Sequence, residues 1–452
     1  MKPTNPATEA PLQHYPEHSD EQLAARLQTA ERAFPRWRGA GFGVRAEHLI
    51  RAAALLEDDR SELARLMTEE MGKPIVESEA EVDKCTSACR FSAENAERFL
   101  SPQRVQTEAR ASYVRFDPLG PVLAIMPWNF PLWQVFRFAA PALMAGNVAL
   151  LKHAPNTWGT ALAVENVFRR SGAPEGVFST LLISDEKADE LIGHPAVRAV
   201  TLTGSDRAGR LVGAQAGRHL RKVVLELGGS DPFIVLADAD VDHVAAQAVR
   251  ARTMNSGQSC IAAKRIIVEQ PLADDFEERL VAGCEALRVG DPLDRETQIG
   301  PLARRDLLEK LHDQVERSLA AGARCLTGGK PLDRRGYYYP PTVLTGVRPG
   351  MPAFDEETFG PVAAVVRADD ADEAVELANR SRFGLGASVW TADARRGESL
   401  AGKLEAGCVF INEIVKSDPR LPFGGMKQSG FGRELGTEGI REFTNVKTVW
   451  VG

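Results

Sequence analysis

Apolar positions in the first hundred residues recur at three- and four-residue spacing, as in "EQLAARLQTAERAF" and "AEHLIRAAALLEDDRSELARLM". This spacing places apolar side chains on one helix face and predicts a helical segment over residues 20–100. From about Pro121, short apolar runs alternate with helical stretches; the runs are "VLAIM", "NVALLK", "VFSTLLI", "VRAVTLT" and "KVVLEL". Strands that alternate with helices are typical of a parallel sheet, whose ligands bind at the carboxyl ends of the strands. The pattern therefore predicts an α/β, doubly wound fold.

A second α/β series follows Gly228 and Gly229, with the strands "FIVL" and "KRIIVE" on either side of the helix "VDHVAAQAVRARTM". Two other segments, "RASYVRFD" and "TNVKTVWVG", alternate like exposed strands and belong to neither series. Because exposed strand edges often pair with another subunit, we expect an oligomer. The predicted division is a first α/β domain over residues 1–108 and 119–228, a second over 229–430, and a small β oligomerisation element over 109–118 and 431–452.

Composition excludes several classes of partner. The 452-residue chain has a net charge of −7 and no long block of Lys or Arg, which argues against nucleic acid and anionic membranes. The polar N-terminal stretch has no apolar core typical of a signal peptide, and no run of about 18 apolar residues occurs, so we expect a cytoplasmic protein. Six cysteines without a paired Cys-x-x-Cys pattern predict neither a disulfide framework nor a metal site.

The segment "MNSGQSCIAAKR" places Cys260 after a Gly-Gln turn. A reactive thiolate needs an exposed loop position and a group that stabilises its charge. None of the eight histidines shares a motif with this cysteine, whereas "LELGGSDP" places Glu226 at the end of an apolar strand. Burial raises the pKa of a carboxyl group, which suits a general base near neutral pH. Spacing alone leaves open whether Cys260 and Glu226 are catalytic or structural.

Two features suit a nucleotide without establishing one. The loop "GSDRAG", from Gly204, follows a strand and opens a helix, where a pyrophosphate could bind. It lacks the G-x-G-x-x-G spacing, and Ser205 could equally be a helix cap. Lys152 ends a strand at the ligand-binding edge of the sheet, but it could also be an ordinary solvated side chain.

Seven segments occur in the order and approximate spacing of the aldehyde dehydrogenase superfamily: "PWNFP", "LLKHAPN", "TGS", "LELGG", "NSGQSC", "EETFGPV" and "PFGGMKQSGFGRELG". The resemblance covers essentially the whole chain. It implies an NAD(P)-dependent oxidation of an aldehyde to a carboxylic acid, through a cysteine thiohemiacetal and a thioester that water hydrolyses. It also implies that the first domain binds the dinucleotide and that the second is catalytic.

The same resemblance assigns roles to residues. Cys260 matches the nucleophile, Asn129 the oxyanion donor and Glu226 the general base. The positions that match cofactor contacts are Trp128, Lys152, Gly204, Ser205, Glu357 and Phe359. Relatives that acylate coenzyme A typically lack the glutamate, so Glu226 favours a free-acid product.

Two segments, "PWNFPLWQVFR" and "INEIVKSDPRLPFGG", look like the succinate-semialdehyde dehydrogenase branch. In that branch an arginine and a serine, here Arg137 and Ser417, hold the distal carboxylate, and Trp133 and Ser259 would line the same pocket. Arg137 could instead be a surface salt-bridge partner. The alternatives are a dehydrogenase of other aliphatic or aromatic aldehydes, a thiol hydrolase, or a catalytically silent oligomer. The expected partner is a small aldehyde, and the expected assembly is a homodimer or homotetramer.

The chain departs from the family pattern at three positions. Many members have an acidic residue at position 155, where it binds the adenosine ribose; Pro155 offers neither a carboxylate nor a donor for a 2′-phosphate. We therefore expect NAD as cofactor, with NADP possible through Lys152 or a protonated His153. Asp206 follows Ser205 in place of the usual threonine and should point away from a pyrophosphate. Ala262 stands where some relatives have a second cysteine.

Overall fold

A computed structural model describes residues 3–452, so the first two residues of the predicted first domain lie outside the described part. The helices, in chain order, are α1 (Asp20–Gly39), α2 (Phe42–Asp58), α3 (Arg60–Met71), α4 (Ile75–Leu100), α5 (Trp133–Met144), α6 (Trp158–Arg170), α7 (Asp185–Ile192), α8 (Asp206–Arg218), α9 (Val241–Thr253), α10 (Ala273–Glu285), α11 (Arg305–Ala320), α12 (Pro352–Asp355), α13 (Ala371–Asn379), α14 (Ala394–Ala401) and α15 (Gly436–Glu442). The helical segment predicted over residues 20–100 is confirmed as α1 to α4.

The strands are β1 (Gln103–Arg104), β2 (Ala111–Pro118), β3 (Pro121–Met126), β4 (Val148–His153), β5 (Phe178–Thr180), β6 (Ala199–Thr203), β7 (Lys222–Glu226), β8 (Asp231–Val235), β9 (Ala263–Glu269), β10 (Arg324–Thr327), β11 (Thr342–Thr345), β12 (Val362–Ala368), β13 (Phe383–Gly384), β14 (Gly386–Trp390), β15 (Cys408–Ile411), β16 (Met426–Lys427), β17 (Gly430–Phe431) and β18 (Thr444–Val451). Each apolar run predicted as a strand forms one. The run "VFSTLLI" is strand only in its middle, at β5.

The first sheet has the strand order β17-β7-β6-β3-β4-β5, parallel throughout except for the edge strand β17. The chain runs outward from β3 to β5 and returns to β6 on the other side of β3. The carboxyl ends of β3 and β6 therefore meet at a topological switch point, where open α/β sheets bind ligands. Asn129 follows β3, Gly204 follows β6 and Glu226 ends β7, so three separate motifs reach one edge of the sheet.

The second sheet has the order β10-β11-β12-β9-β8-β14-β15, again parallel except at the edge strand β10. Its two faces pack into separate apolar clusters, whereas α1 to α8 and the first sheet share a third. The predicted doubly wound α/β fold is confirmed. Cys260 lies in the loop between α9 and β9, within the crossover connection that joins β8 to β9 of the second sheet.

The two predicted exposed strands, β2 and β18, pair with each other antiparallel over their full length, and β1 completes a three-stranded sheet. Val446 and Trp450 on β18 are exposed apolar side chains. The subunit partner and the domain boundaries stay predictions. In the described residues, no helix is both long and apolar enough to cross a bilayer, and no three His, Cys, Asp or Glu side chains are grouped to hold a metal ion.

Candidate active site

The loop that carries Cys260 has an unusual backbone. Asn255 and Ser256 have φ of 56° and 53°, and Gly257 follows with φ of 73°, so three consecutive residues are left-handed. Non-glycine residues rarely adopt this region, at about 1–3 kcal/mol each, and keep it only where the surroundings impose it. At Gly257 a side chain would collide with the backbone of Gly360. The turn therefore needs a glycine here and external support at the two preceding residues.

Hydrogen bonds from distant elements supply that support. The Asn255 N–H donates to the Glu77 carboxylate of α4 (2.7 Å), and Ser256 Oγ accepts from the Gly300 N–H (2.9 Å). The Asn255 side-chain amide donates to the carbonyl of Asn129 (2.8 Å). Burial raises the pKa of Glu77 to about 7, against the opposing charge of Lys73. The strained turn is thus tied both to α4 and to the segment that carries Asn129.

The amide of Asn129 is held on both sides. Its Nδ2 donates to the Gln258 carbonyl (3.0 Å), and its Oδ1 accepts from Gln134 Nε2 (3.1 Å). One Nδ2 hydrogen remains for another acceptor, since the group has two. Within residues 3–452 the Cys260 backbone N–H donates to no protein group. The fixed Asn129 Nδ2 and the unpaired Cys260 N–H could therefore both donate to an oxyanion beside Cys260.

Cys260 is half-buried, and burial raises the pKa of its thiol to about 12. The nearby charges of Lys264 and Arg137 oppose this shift. Lys264 is itself fixed, because its Nζ donates to the carbonyls of Ser259 (2.8 Å) and Cys260 (2.7 Å). The sequence predicted an exposed loop position with a stabilised thiolate; the position is half-buried, and desolvation affects the thiol pKa more than the two cations do.

Glu226 is 2% exposed, and its Oε1 has no hydrogen-bond partner in the described residues. Burial raises the pKa of its carboxyl well above the ordinary value, and repulsion by Glu434 adds to this effect. Gly424 lies so close that a side chain there would come within 2.8 Å of Oε1. A buried carboxyl with a raised pKa and a free oxygen has the properties expected of a general base.

We call Trp128, Lys152, Pro155, Gly204, Ser205, Glu357 and Phe359 the cofactor side. Trp128 and Phe359 meet edge to face, with ring centroids 5.7 Å apart, although 231 residues separate them in sequence. Glu357 Oε1 accepts from the Gly229 N–H (3.0 Å), and a side chain at Gly228 would collide with the same carboxylate. The glycines of "LELGG" therefore allow Glu357 to lie against the backbone after β7.

The remaining cofactor-side residues have structural partners. Ser205 caps α8, since its Oγ accepts from the Ala208 N–H (3.2 Å), and the Gly204 N–H donates to the Glu226 carbonyl (3.0 Å). Lys152 forms an ion pair with the exposed Asp185, and Pro155 is exposed at the start of a 3-10 turn.

Two further sequence-based expectations concern this side. Asp206 turns toward Arg210 (3.4 Å) and Arg382 (3.8 Å), consistent with its expected orientation away from a bound anion. His153 is fully buried, and burial lowers its pKa to about 4. The suggestion that a protonated His153 assists a phosphate is therefore wrong.

We call Trp133, Arg137, Ser259 and Ser417 the aldehyde side. Arg137 is 3% exposed and forms an ion pair with buried Glu434; its Nη2 also donates to Thr203 Oγ1 (3.3 Å). Arg137 therefore does form a salt bridge, but the alternative that this bridge lies on the surface is wrong, because both partners are buried. Ser259 Oγ has no partner in the described part of the chain, and Ser417 Oγ accepts from Lys84 Nζ (2.7 Å).

Sequence reasoning missed the contribution of α4. Glu77, Glu81 and Lys84 are four and three residues apart and so share one helix face. Glu81 pairs with buried Lys73 and accepts from the Leu132 (2.9 Å) and Trp133 (2.8 Å) N–H groups at the start of α5. Charged residues on an otherwise apolar helix face were the feature of the sequence that could have indicated this contribution. Glu434 was also missed, although it lies inside the quoted "FGRELG" segment.

Comparison with known proteins agrees with this geometry. Residues 1–449 match the aldehyde dehydrogenase family. The chain is 52% identical over 447 residues to a probable succinate-semialdehyde dehydrogenase [NADP(+)] of Synechocystis, covering 99% of this chain and 98% of the relative. It is 48% identical to a succinate semialdehyde dehydrogenase [NAD(P)+] of Escherichia coli, with 99% and 96% covered.

A crystal structure of succinic semialdehyde dehydrogenase from Streptococcus pyogenes, in complex with NADP+, superposes with a TM-score of 0.97 at 35% identity, covering 100% of this chain and 99% of that one. The match spans both sheets and every segment of the candidate site. The chain therefore belongs to the aldehyde dehydrogenase family, whose members oxidise aldehydes.

Proposed function

We propose that the protein oxidises succinate semialdehyde, or a similar short anionic aldehyde, to the carboxylic acid with NADP. The observation that carries the proposal is the convergence of Cys260, the fixed Asn129 amide and Glu226, whose Oε1 has no hydrogen-bond partner in the described residues. These groups lie near the buried Arg137. The names of the relatives at 48–52% identity support the substrate. We propose Cys260, Asn129 and Glu226 as the catalytic residues.

In the first half of the reaction, Cys260 Sγ bonds to the carbonyl carbon, the C=O π bond breaks and the thiol proton passes to solvent water. The electron pair that moves to the carbonyl oxygen is stabilised by Asn129 Nδ2 and the Cys260 N–H, each worth about 3–4 kcal/mol in comparable sites. The positive charges of Lys264 and Arg137 favour the thiolate over the neutral thiol that burial imposes. When bound, the nicotinamide cofactor supplies the hydride acceptor.

In the second half, Glu226 takes a proton from the water that attacks the thioester. Burial raises the pKa of its carboxyl group, which makes the carboxylate a stronger proton acceptor. Arg137 supports this role, because its positive charge lowers the pKa of Glu226 and so favours the carboxylate form that accepts the proton. The products are the free acid and a regenerated Cys260 thiol.

The cofactor side fits a dinucleotide. The N-terminus of α8, capped by Ser205, presents N–H groups and a favourable dipole to a pyrophosphate. Glu357, Phe359 and Trp128 would bind the nicotinamide half. The expectation of NAD is not confirmed: relatives carry NADP in their names, and a bound NADP+ occurs in a similar structure. Lys152 supports NADP, because its ammonium could leave the ion pair with Asp185 and bind a 2′-phosphate instead.

The predicted homodimer or homotetramer and the cytoplasmic location stay predictions. The apolar exposed positions of β18 support a subunit contact at the three-stranded sheet. A size-exclusion and light-scattering measurement, with Trp450→Ser on β18 as the interface variant, tests the assembly.

The absorbance of reduced nicotinamide tests the function directly. Succinate semialdehyde, butanal and benzaldehyde are each offered with NADP and with NAD, and kcat/KM is determined for every pair. We expect succinate semialdehyde with NADP to give the highest value. A higher value for butanal or benzaldehyde would instead favour a dehydrogenase of uncharged aldehydes, and no reduction with any aldehyde would exclude the proposal.

A further inference from the structure

We propose that Lys84 of α4 binds the distal carboxylate of the aldehyde and is the main determinant of anionic substrate preference, a conclusion that rests on the proposed function. Arg137, the arginine that the sequence resemblance assigns to this task, would then act mainly by holding Glu434. The observations behind this proposal are the position of Lys84, its charge balance and its attachment to the catalytic segment.

Lys84 lies among the aldehyde-side residues. Its Nζ donates to Ser417 Oγ (2.7 Å) and sits 4.2 Å from the ring centroid of Trp133, over the face of the indole. A hydroxyl and an aromatic ring can orient an ammonium without neutralising it. The side chain is therefore placed for a ligand and retains its charge.

The charge balance separates Lys84 from Arg137. Among residues 3–452, no carboxylate forms an ion pair with Lys84, whereas Arg137 is already paired with Glu434. The two carboxylates whose charges act on Lys84 are paired with other cations, Glu81 with Lys73 and Asp418 with Arg420. Burial, and then repulsion by Arg137, lowers the pKa of Lys84 to about 8. An incoming carboxylate would supply the anion that this half-buried ammonium lacks.

Helix α4 fixes Lys84 relative to the reacting atoms. On the same face, Glu81 binds the first N–H groups of α5, and Glu77 binds the N–H of Asn255 in the nucleophile loop. Asn129 lies in the short segment between β3 and α5 and is joined to the same loop through Asn255. Lys84 is therefore tied to both the oxyanion donor and the nucleophile, as a specificity residue for a short bifunctional substrate requires.

The other lysine and arginine of the Ser417 loop do not compete for this role. Lys416 is exposed and pairs with Glu413 (2.8 Å), and Arg420 is exposed and pairs with Asp418. Their charges are balanced within the loop. Lys416→Met thus provides a matched control, because it removes a neighbouring cation without touching the proposed contact.

The experiment compares kcat/KM for succinate semialdehyde and for butanal, which has the same number of carbons and no carboxylate. Lys84→Met and Lys84→Gln should lower the ratio about ten- to a hundredfold, mainly through KM for the semialdehyde, since a charge-assisted bond is lost. Lys84→Arg should keep most of the preference, and Lys416→Met should keep all of it. Lys84→Gln can retain the bond to Ser417, so it serves if the Met variant does not fold.

An unchanged ratio in Lys84→Met or Lys84→Gln would overturn the assignment. A different result, no preference for the semialdehyde in the unaltered enzyme, would refute the proposed substrate instead. The two failures are therefore distinguishable within one data set.

Discussion

The aldehyde side and the cofactor side of Cys260 differ in the partners of their cations. On the aldehyde side, Arg137 and Glu434 are buried as a pair, and Lys84 is half-buried without an anion. On the cofactor side, Lys152 pairs with an exposed Asp185, and Ser205 serves as an exposed helix cap. Lys152 is buried as well, but its partner Asp185 stays in water, whereas a charge buried with its partner, or without one, is costly unless a ligand or partner needs it.

Substitutions should have their largest effects where the charged or reacting groups are buried. Changes on the nucleophile or among the buried charges alter interactions that water cannot replace. Changes at the exposed cofactor-side partners, such as Asp185, are screened by water and salt, so their effects should be modest.

Cys260→Ala should abolish aldehyde oxidation, by about four orders of magnitude or more, because only the thiol forms the covalent intermediate. Thermal unfolding should be little changed, since a small half-buried side chain is removed. Reduced-nicotinamide formation and a melting curve check both parts. Retention of more than a trace of activity would contradict the mechanism.

Arg137→Gln should lower the free energy of unfolding by about 3–5 kcal/mol, because it leaves Glu434 buried without its cation. Adding Glu434→Gln should restore much of that loss. Denaturant unfolding of the two single variants and the double variant measures the coupling. If Arg137→Gln erases the succinate-semialdehyde preference while Lys84→Met does not, the carboxylate belongs to Arg137, as the sequence resemblance implies.

Glu226→Gln should slow steady-state turnover about a hundredfold while leaving a rapid first turnover, since it removes the base for thioester hydrolysis. A burst of reduced nicotinamide and an acyl-enzyme mass adduct are the readouts. Uniformly slow turnover without an adduct would leave Glu226 without this role.

The same variant has a pH signature in stability. The folded-state pKa of Glu226 lies above its ordinary value of 4.5, so ionisation destabilises the folded enzyme as pH rises beyond that value. Glu226→Gln should therefore unfold at a higher temperature than the unaltered enzyme at pH 8, with the difference shrinking toward pH 5, as melting curves at the two values would show.

Asp185→Asn should raise kcat/KM for NADP only severalfold, because it frees Lys152 and removes a negative charge that would repel a 2′-phosphate. Asp189→Asn, one turn further along α7, is the matched control and should change nothing. A ratio of NADP to NAD use that stays constant in Asp185→Asn would remove Lys152 from the 2′-phosphate site.

The parallel α/β series, the helical segment and the two outlying strands could all be predicted from the amino-acid sequence. Apolar periodicity alone decides which faces must be buried, and β3 to β9 show it clearly. Motif order also identified the family, because residues such as Cys260 and Asn129 lie in recognisable local segments. These features are local in the chain, so a linear reading can find them.

The burial and pairing of the charged side chains, in contrast, depend on the three-dimensional packing. The pKa of Cys260 depends on desolvation by residues far away in sequence, and Arg137 meets Glu434 across 297 positions. In the sequence, Lys84 is one of several polar positions on a helix, and only the packing of α4 brings it to Trp133 and Ser417. Burial and charge pairing are sums over neighbours in space, and sequence spacing does not contain those neighbours.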